Sequence, residues 1–190
     1  MKVTKEFLKQ KKACIEGYNW FYKNCLELEL QEQITKTAEF RYDWANWLMV
    51  KLMKNHLQKL QYAIFAAEQV LPIFEEKYPK NKRAREAIEA TKKVLENNTE
   101  ENRRAAYTAA YAAYPADAAF AAYAADDADA AAYAAANAAY AAAYAADDAY
   151  TAVVAAAADA AYTAAYAADN TDDVAVKQKI INYGIKLIKE

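Results

Sequence analysis

One histidine, His56, and two cysteines, Cys14 and Cys25, hold most of the nucleophile chemistry available to this chain, and serine is absent throughout. A Ser-His-Asp triad is therefore not expected, since it needs a hydroxyl nucleophile beside an imidazole base. A pair of Cys14 or Cys25 with His56 is left open. No phosphate-cradling glycine loop, no H-E-x-x-H and no C-x-x-C occurs. The adjacent acids Asp126/Asp127 and Asp147/Asp148 could approach a divalent cation. Neighbours on a helix point about 100° apart, however, so a solvated acidic face is the expectation. The residues give no reason to expect an enzyme, a metal or a cofactor.

Binding chemistry is better represented. Trp44 and Trp47 stand three residues apart, which places them on adjacent turns of one helix face. They are either a core wedge or an aromatic hot spot for a partner, where tryptophan is enriched. A second candidate is the basic cluster Lys80, Lys82, Arg83 and Arg85 at the start of a short helix. Cations at a helix N-terminus oppose the macrodipole. An acidic partner, an acid within the chain or a bound anion would offset that cost, and a plain solvated turn is the alternative. The candidate contact residues are therefore Trp44, Trp47, Lys82, Arg83 and Arg85.

These side chains are expected to sit on helices. The chain has 190 residues, only two Gly and three Pro, and no run of alternating β-branched residues. The expected class is all-α, a multi-helix bundle. Residues 4–28 predict a first helix, with Cys14, Tyr18, Phe21, Cys25 and Leu28 as its buried stripe, Trp20 beside it and Gly17 at a close helix approach or, alternatively, a kink. Residues 29–35 predict a connection. A second helix over 36–54 carries Phe40, Trp44, Trp47, Leu48 and Leu52. A third is announced by Asn55 and Gln58 in a capping-box pattern. Its inward face is Leu57, Leu60, Ile64, Ala67, Leu71 and Phe74, and Pro72 is expected to kink or limit it. His56 falls in its first turn, in a structural role. The turn 78–81 leads to a helix over 82–96 with Ala84, Ile88, Thr91 and Leu95 inward. The last helix follows Thr171-Asp172-Asp173, with Val176, Ile180, Tyr183 and Leu187 inward. Cys14 and Cys25, eleven residues apart on one helix, would stand about 16.5 Å apart along its axis and should not pair.

A boundary is expected near residue 98. Residues 1–98 form one helical part. Residues 99–190 form a second, Ala/Tyr/Asp-rich part, packed on the first as one unit. Another capping box is read at Asn98-Thr-Glu-Glu101. The nine residues AAYTAAYAA occur at 105–113 and again at 160–168, and AAYAADD occurs at 121–127 and 142–148. The 21-residue spacing is close to six helical turns. Closely packed helices with tyrosines at their edges, broken near 115, 126, 147 and 170, would explain this composition. Long continuous helices remain the alternative. Thr108, Thr151 and Thr163 make no regular row of the kind an ice-binding face would use.

From Ala105 to Val176 there are ten acids and no base, a charge of -10 within a chain whose net charge is -2, so the remainder carries +8. Two solvated faces of opposite sign, or steering of a charged partner, follow from that asymmetry. The uncharged window 130–146 is shorter than the ~20 apolar residues of a membrane span. The N-terminus lacks a signal-peptide core, and a cytoplasmic protein is expected. Nucleic acid is not expected as a partner, because no recognition motif accompanies the basic half. Oligomerisation is left open.

The phrase Ala13-Cys14-Ile15-Glu16-Gly17-Tyr18-Asn19-Trp20-Phe21 resembles the opening of the Imm5-like immunity proteins. Asp43-Trp44 with Trp47-Leu48 resembles their second, tryptophan-bearing helix. Residues 65–79 and Arg83-Ala84-Arg85 through Ala90 continue the likeness, with Ala84 where members commonly have Pro. An Ala-rich helical second half is also similar to theirs. The resemblance implies a small helical protein that neutralises a toxin or effector by binding it, and it brings no catalytic residue. A different reading of the same residues is a phage or mobile-element protein that sequesters a small anionic, nucleotide-like immune signal. In that reading Arg83 and Arg85 grip phosphate and aromatic rings stack a base.

Overall fold

The structure, a computed structural model, describes residues 2–113 and 174–190. Every element among the described residues is a helix: α1 (Lys5–Gln10), α2 (Ile15–Asn24), α3 (Leu30–Phe40), α4 (Tyr42–Leu52), α5 (His56–Lys77), α6 (Arg83–Glu96), α7 (Glu100–Ala113) and α8 (Val174–Lys189). The all-α expectation holds, and the helices pack on one another. The Ala/Tyr packing expected within 114–173, with its breaks near 115, 126, 147 and 170, lies outside the described residues.

The first expected helix is two helices. Lys12 has φ 58°, a left-handed backbone that cannot continue an α-helix. Thr4 Oγ1 caps α1 by accepting the Phe7 N–H at 3.2 Å. The Cys14 thiol caps α2 by accepting the Gly17 N–H at 3.3 Å. Cys14 is therefore exposed rather than part of a buried stripe, whereas Phe21 and Cys25 are buried as expected. Cys14 and Cys25 are the two caps of α2 and are both free thiols.

Residues 29–35 are no connection either. Glu29 caps α3, with the Glu32 carboxylate accepting the Glu29 N–H at 3.1 Å. The expected helix over 36–54 is divided at Arg41, one extended residue (φ -147°, ψ 101°) that ends α3 and caps α4. That division leaves Phe40 at the tip of α3, 52% exposed, while Leu48 is buried on α4.

α5 runs through Pro72 for a further five residues, so the proline does not limit it. Its ring is on the exposed side of the helix. Leu60, Ile64, Ala67, Leu71 and Phe74 are buried as the 3–4 spacing predicts, but Leu57 in the first turn is exposed. Asn55 Oδ1 accepts the Gln58 N–H at 2.9 Å. The reciprocal half of the expected box is missing, because Gln58 Oε1 accepts from Lys54 N (2.8 Å) and its Nε2 donates to the Leu187 carbonyl (2.7 Å). Leu187 lies in the last turn of α8, where carbonyls have no helical partner. One buried glutamine thus ties the start of α5 to the end of α8. At α7 the cap is Thr99, whose Oγ1 accepts from Asn102 N at 3.2 Å, rather than Asn98.

The core forms where α8 meets α3, α4 and α5. Ile180, Ile181, Ile185, Leu187 and Ile188 are buried, a wider stripe than the one-face spacing predicts. Each such side chain contributes about 1.5–3 kcal/mol. Gly184 sits at the closest approach: a Cβ there would stand 2.6 Å from Met49 Sδ and 2.9 Å from Tyr62 Cε2. The Tyr62 ring is fully buried and its hydroxyl donates to Asn46 Oδ1 at 2.6 Å. α6 packs on α5 and α7 packs on α6, and Ala84, Ile88 and Val94 of α6 join the buried core.

Candidate functional site

The two breaks that the periodicity misses bring four helices around one concavity among the described residues. The turn at Lys12 lays α2 against α1, and the break at Arg41 folds α4 back on α3. Between them lies an open cavity of about 390 Å³, lined by Leu8, Lys12, Ala13, Cys14, Gly17, Trp20, Phe21, Thr37, Asp43, Trp44, Trp47 and Leu48. The chain has three tryptophans, and all three line it. Binding sites for small molecules are commonly concave, apolar and aromatic with a few polar groups, and this cavity has that character.

Its walls are held by ring contacts. Trp20 stacks on Phe40 with centroids 4.5 Å apart and planes 8° apart, and meets Trp44 edge-on at 6.3 Å. Gly17 makes room for this arrangement: a Cβ there would lie 3.5 Å from the Trp44 ring and 3.1 Å from Cys14 Sγ. The close approach expected at Gly17 is thus the approach of the Trp44 side chain.

Two charged residues line the cavity. Asp43 is engaged by Arg41 through two hydrogen bonds, at 2.9 and 2.8 Å, and this pairing holds its carboxyl below the usual carboxylate range. The same guanidinium lies 5.0 Å from the Trp44 ring. Lys12 makes no ion pair among the described residues, and Lys51 Nζ stands 5.9 Å from the Trp47 ring. Thr37 is buried in the wall, with its hydroxyl donating to the Gln33 carbonyl at 2.7 Å.

Trp44 and Trp47 are therefore brought together in one site, joined by Trp20, which the spacing placed merely beside a stripe. Lys82, Arg83 and Arg85 line no part of it. Lys82 is the exposed N-cap residue of α6, and the Arg83 N–H donates to Asn81 Oδ1 at 3.2 Å. Arg85 grips Glu75 of α5 with both arms of its guanidinium, Nε to Oε1 at 2.6 Å, and depresses the Glu75 carboxyl. Lys92 adds Glu68 at 2.7 Å across the same seam. For Arg85, then, the offset to the unfavourable helix terminus is an acid within the chain.

His56 opens α5 half-buried, and burial first, then Lys59 and Arg103, hold its imidazole below its ordinary value. The thiols of Cys14 and Cys25 associate with Gly17 and Thr37, not with His56. Burial pushes the Cys25 thiol up, away from nucleophilic use. Among the described residues no cluster of three metal-ligating side chains occurs, and no helix is long and apolar enough to cross a membrane. No protein-family model, no curated protein and no solved structure matches this chain.

Proposed function

We propose that this protein is a non-enzymatic binding protein of immunity type, which neutralises a toxin or effector by direct contact in the cytoplasm. The tryptophan cavity and the adjoining Phe40 are its receiving face. One observation carries this reading. Nine of the twelve lining residues belong to the two phrases that resemble the Imm5-like proteins: Ala13, Cys14, Gly17, Trp20 and Phe21 from the first, and Asp43, Trp44, Trp47 and Leu48 from the second. Phrases distant in sequence converge on one concave surface. Such a pocket fits an apolar anchor of a partner, the arrangement in which a few residues supply most of the binding energy.

The test is co-expression with the product of a toxin-like gene adjacent to this one, scored by growth rescue and by calorimetry of the purified pair. Trp44→Ala and Trp47→Ala should each weaken binding at least about 30-fold while preserving the helical circular dichroism. Protection that survives both substitutions would place the partner elsewhere and end this reading of the face. The second reading, sequestration of a small nucleotide-like signal, draws support from the aromatic walls. Saturation at 100 times the dissociation constant would stabilise the protein by about 2.7 kcal/mol. A thermal-shift screen that stays flat with every nucleotide removes it.

A further inference from the structure

We infer that the tryptophan cavity is a site for a small planar aromatic molecule carrying one anionic group, with the ring among Trp20, Trp44 and Trp47 and the anion on Lys12. The inference stands on the cavity alone and does not require a protein partner to dock there. Three features select this ligand class. Four of the twelve lining residues are aromatic, the three tryptophans among them, and their rings favour a flat π-system in stacked or edge-on contact. The cavity is large enough, at about 390 Å³, to fall within the range of small-molecule sites.

Charge supplies the third feature. Asp43, the sole acid in the lining, is engaged by Arg41 and does not present a free negative charge to an incoming anion. Lys12 is the remaining charge of the lining, exposed and held in no ion pair among the described residues. Its left-handed backbone (φ 58°) fixes the turn that sets it on the cavity wall. Lys51 beside Trp47 adds to the positive potential, and Glu16, exposed on α2, is the acid that acts on Arg41 after Asp43. A cation would meet Lys12 and Lys51. A neutral ring would gain the stacking but leave Lys12 unused.

The experiment uses the full chain and three probes that share a ring and differ in charge: 2-naphthoate, 2-naphthamide and 2-naphthylmethylammonium. Affinity is read by calorimetry, and location by protection of tryptophan emission from acrylamide, since every tryptophan of the chain lines this cavity. Naphthoate should bind about tenfold or more tighter than the ammonium probe and tighter than the amide, a preference that salt weakens. Lys12→Gly keeps the backbone, because glycine accepts this φ without strain. It should erase the preference and leave amide binding in place. Trp47→Ala should weaken all three probes. No heat and no protection with any probe would overturn the inference. So would an ammonium probe that binds as well as naphthoate, or a charge preference that survives Lys12→Gly. None of these outcomes depends on whether a toxin is neutralised.

Discussion

Gly184→Ala sets two effects of one methyl group against each other. In the interior of a helix, Ala is favoured over Gly by about 1 kcal/mol. Against this, the new Cβ would enter the space of Met49 Sδ at 2.6 Å and Tyr62 Cε2 at 2.9 Å, both on fully buried side chains. The tyrosine ring has little freedom to retreat, because its hydroxyl is bound to Asn46. Relief must come from Met49 or from a shift of α8. Overpacking of this kind costs about 1–3 kcal/mol, so the variant should be less stable by about 1 kcal/mol. Urea unfolding followed by circular dichroism should show a lower midpoint with an unchanged slope, and the melting temperature should fall by about 2–4 °C. Met49→Ala alone should cost about 2–5 kcal/mol. In combination, the two substitutions should cost at least about 1 kcal/mol less than their sum, because the truncation removes the atom that the new methyl strikes. A Gly184→Ala protein more stable than its parent would show that the approach of α8 to α4 and α5 is looser than the geometry implies.

Three further outcomes are expected. Gln33 is fully buried; its Oε1 accepts the Val3 N–H (2.8 Å) and its Nε2 donates to the Val3 and Cys25 carbonyls (3.2 and 3.0 Å). Gln33→Leu should cost at least about 2 kcal/mol and speed hydrogen exchange at Val3, and an unchanged exchange rate there would refute the tether. Folded His56 binds its proton less readily than the free imidazole, so the unfolded chain holds more protons as pH falls through about 6.5, and stability drops with it until the folded imidazole also charges. The melting temperature should be lower at about pH 5.5 than at about pH 7.5, and His56→Asn should flatten that difference; equal slopes in the two proteins would contradict it. Arg85→Ala and Glu75→Ala, on an exposed guanidinium and its partner, should each change stability by no more than about 1 kcal/mol, with a coupling of similar size or less. A coupling above about 2 kcal/mol in a double-mutant cycle would mean that the pair is better shielded than its exposure indicates.

Periodicity was a good guide wherever one helix face packs on a continuous neighbour. α5, α6 and α8 were legible because their apolar residues recur at three and four. It failed where single residues leave the helical region without a compositional mark. Lys12 adopts a left-handed conformation that Gly or Asn would have signalled, and Arg41 breaks a helix with neither Pro nor Gly nearby. Glu29 is an uncommon cap, so the start of α3 looked like a connection. The candidate site was legible in part: the spacing puts Trp44 and Trp47 on one helix face, but their meeting with Trp20 depends on both unmarked breaks. The basic cluster at the start of α6 opposes the helix dipole, and the acid that answers Arg85 lies ten residues upstream on another helix, where local sequence does not reveal it.

The bond between Gln58 and the Leu187 carbonyl joins groups 129 residues apart in the chain. During synthesis this has a temporal meaning. When a nascent chain has emerged only as far as α7, the surfaces of α3, α4 and α5 that α8 will cover are still bare, including Met49 and Tyr62. The aromatic cavity, by contrast, is assembled wholly from the first four helices. The cavity can therefore form early, while the core beneath α8 waits for that helix. In that interval the uncovered core is a substrate for chaperones and proteases.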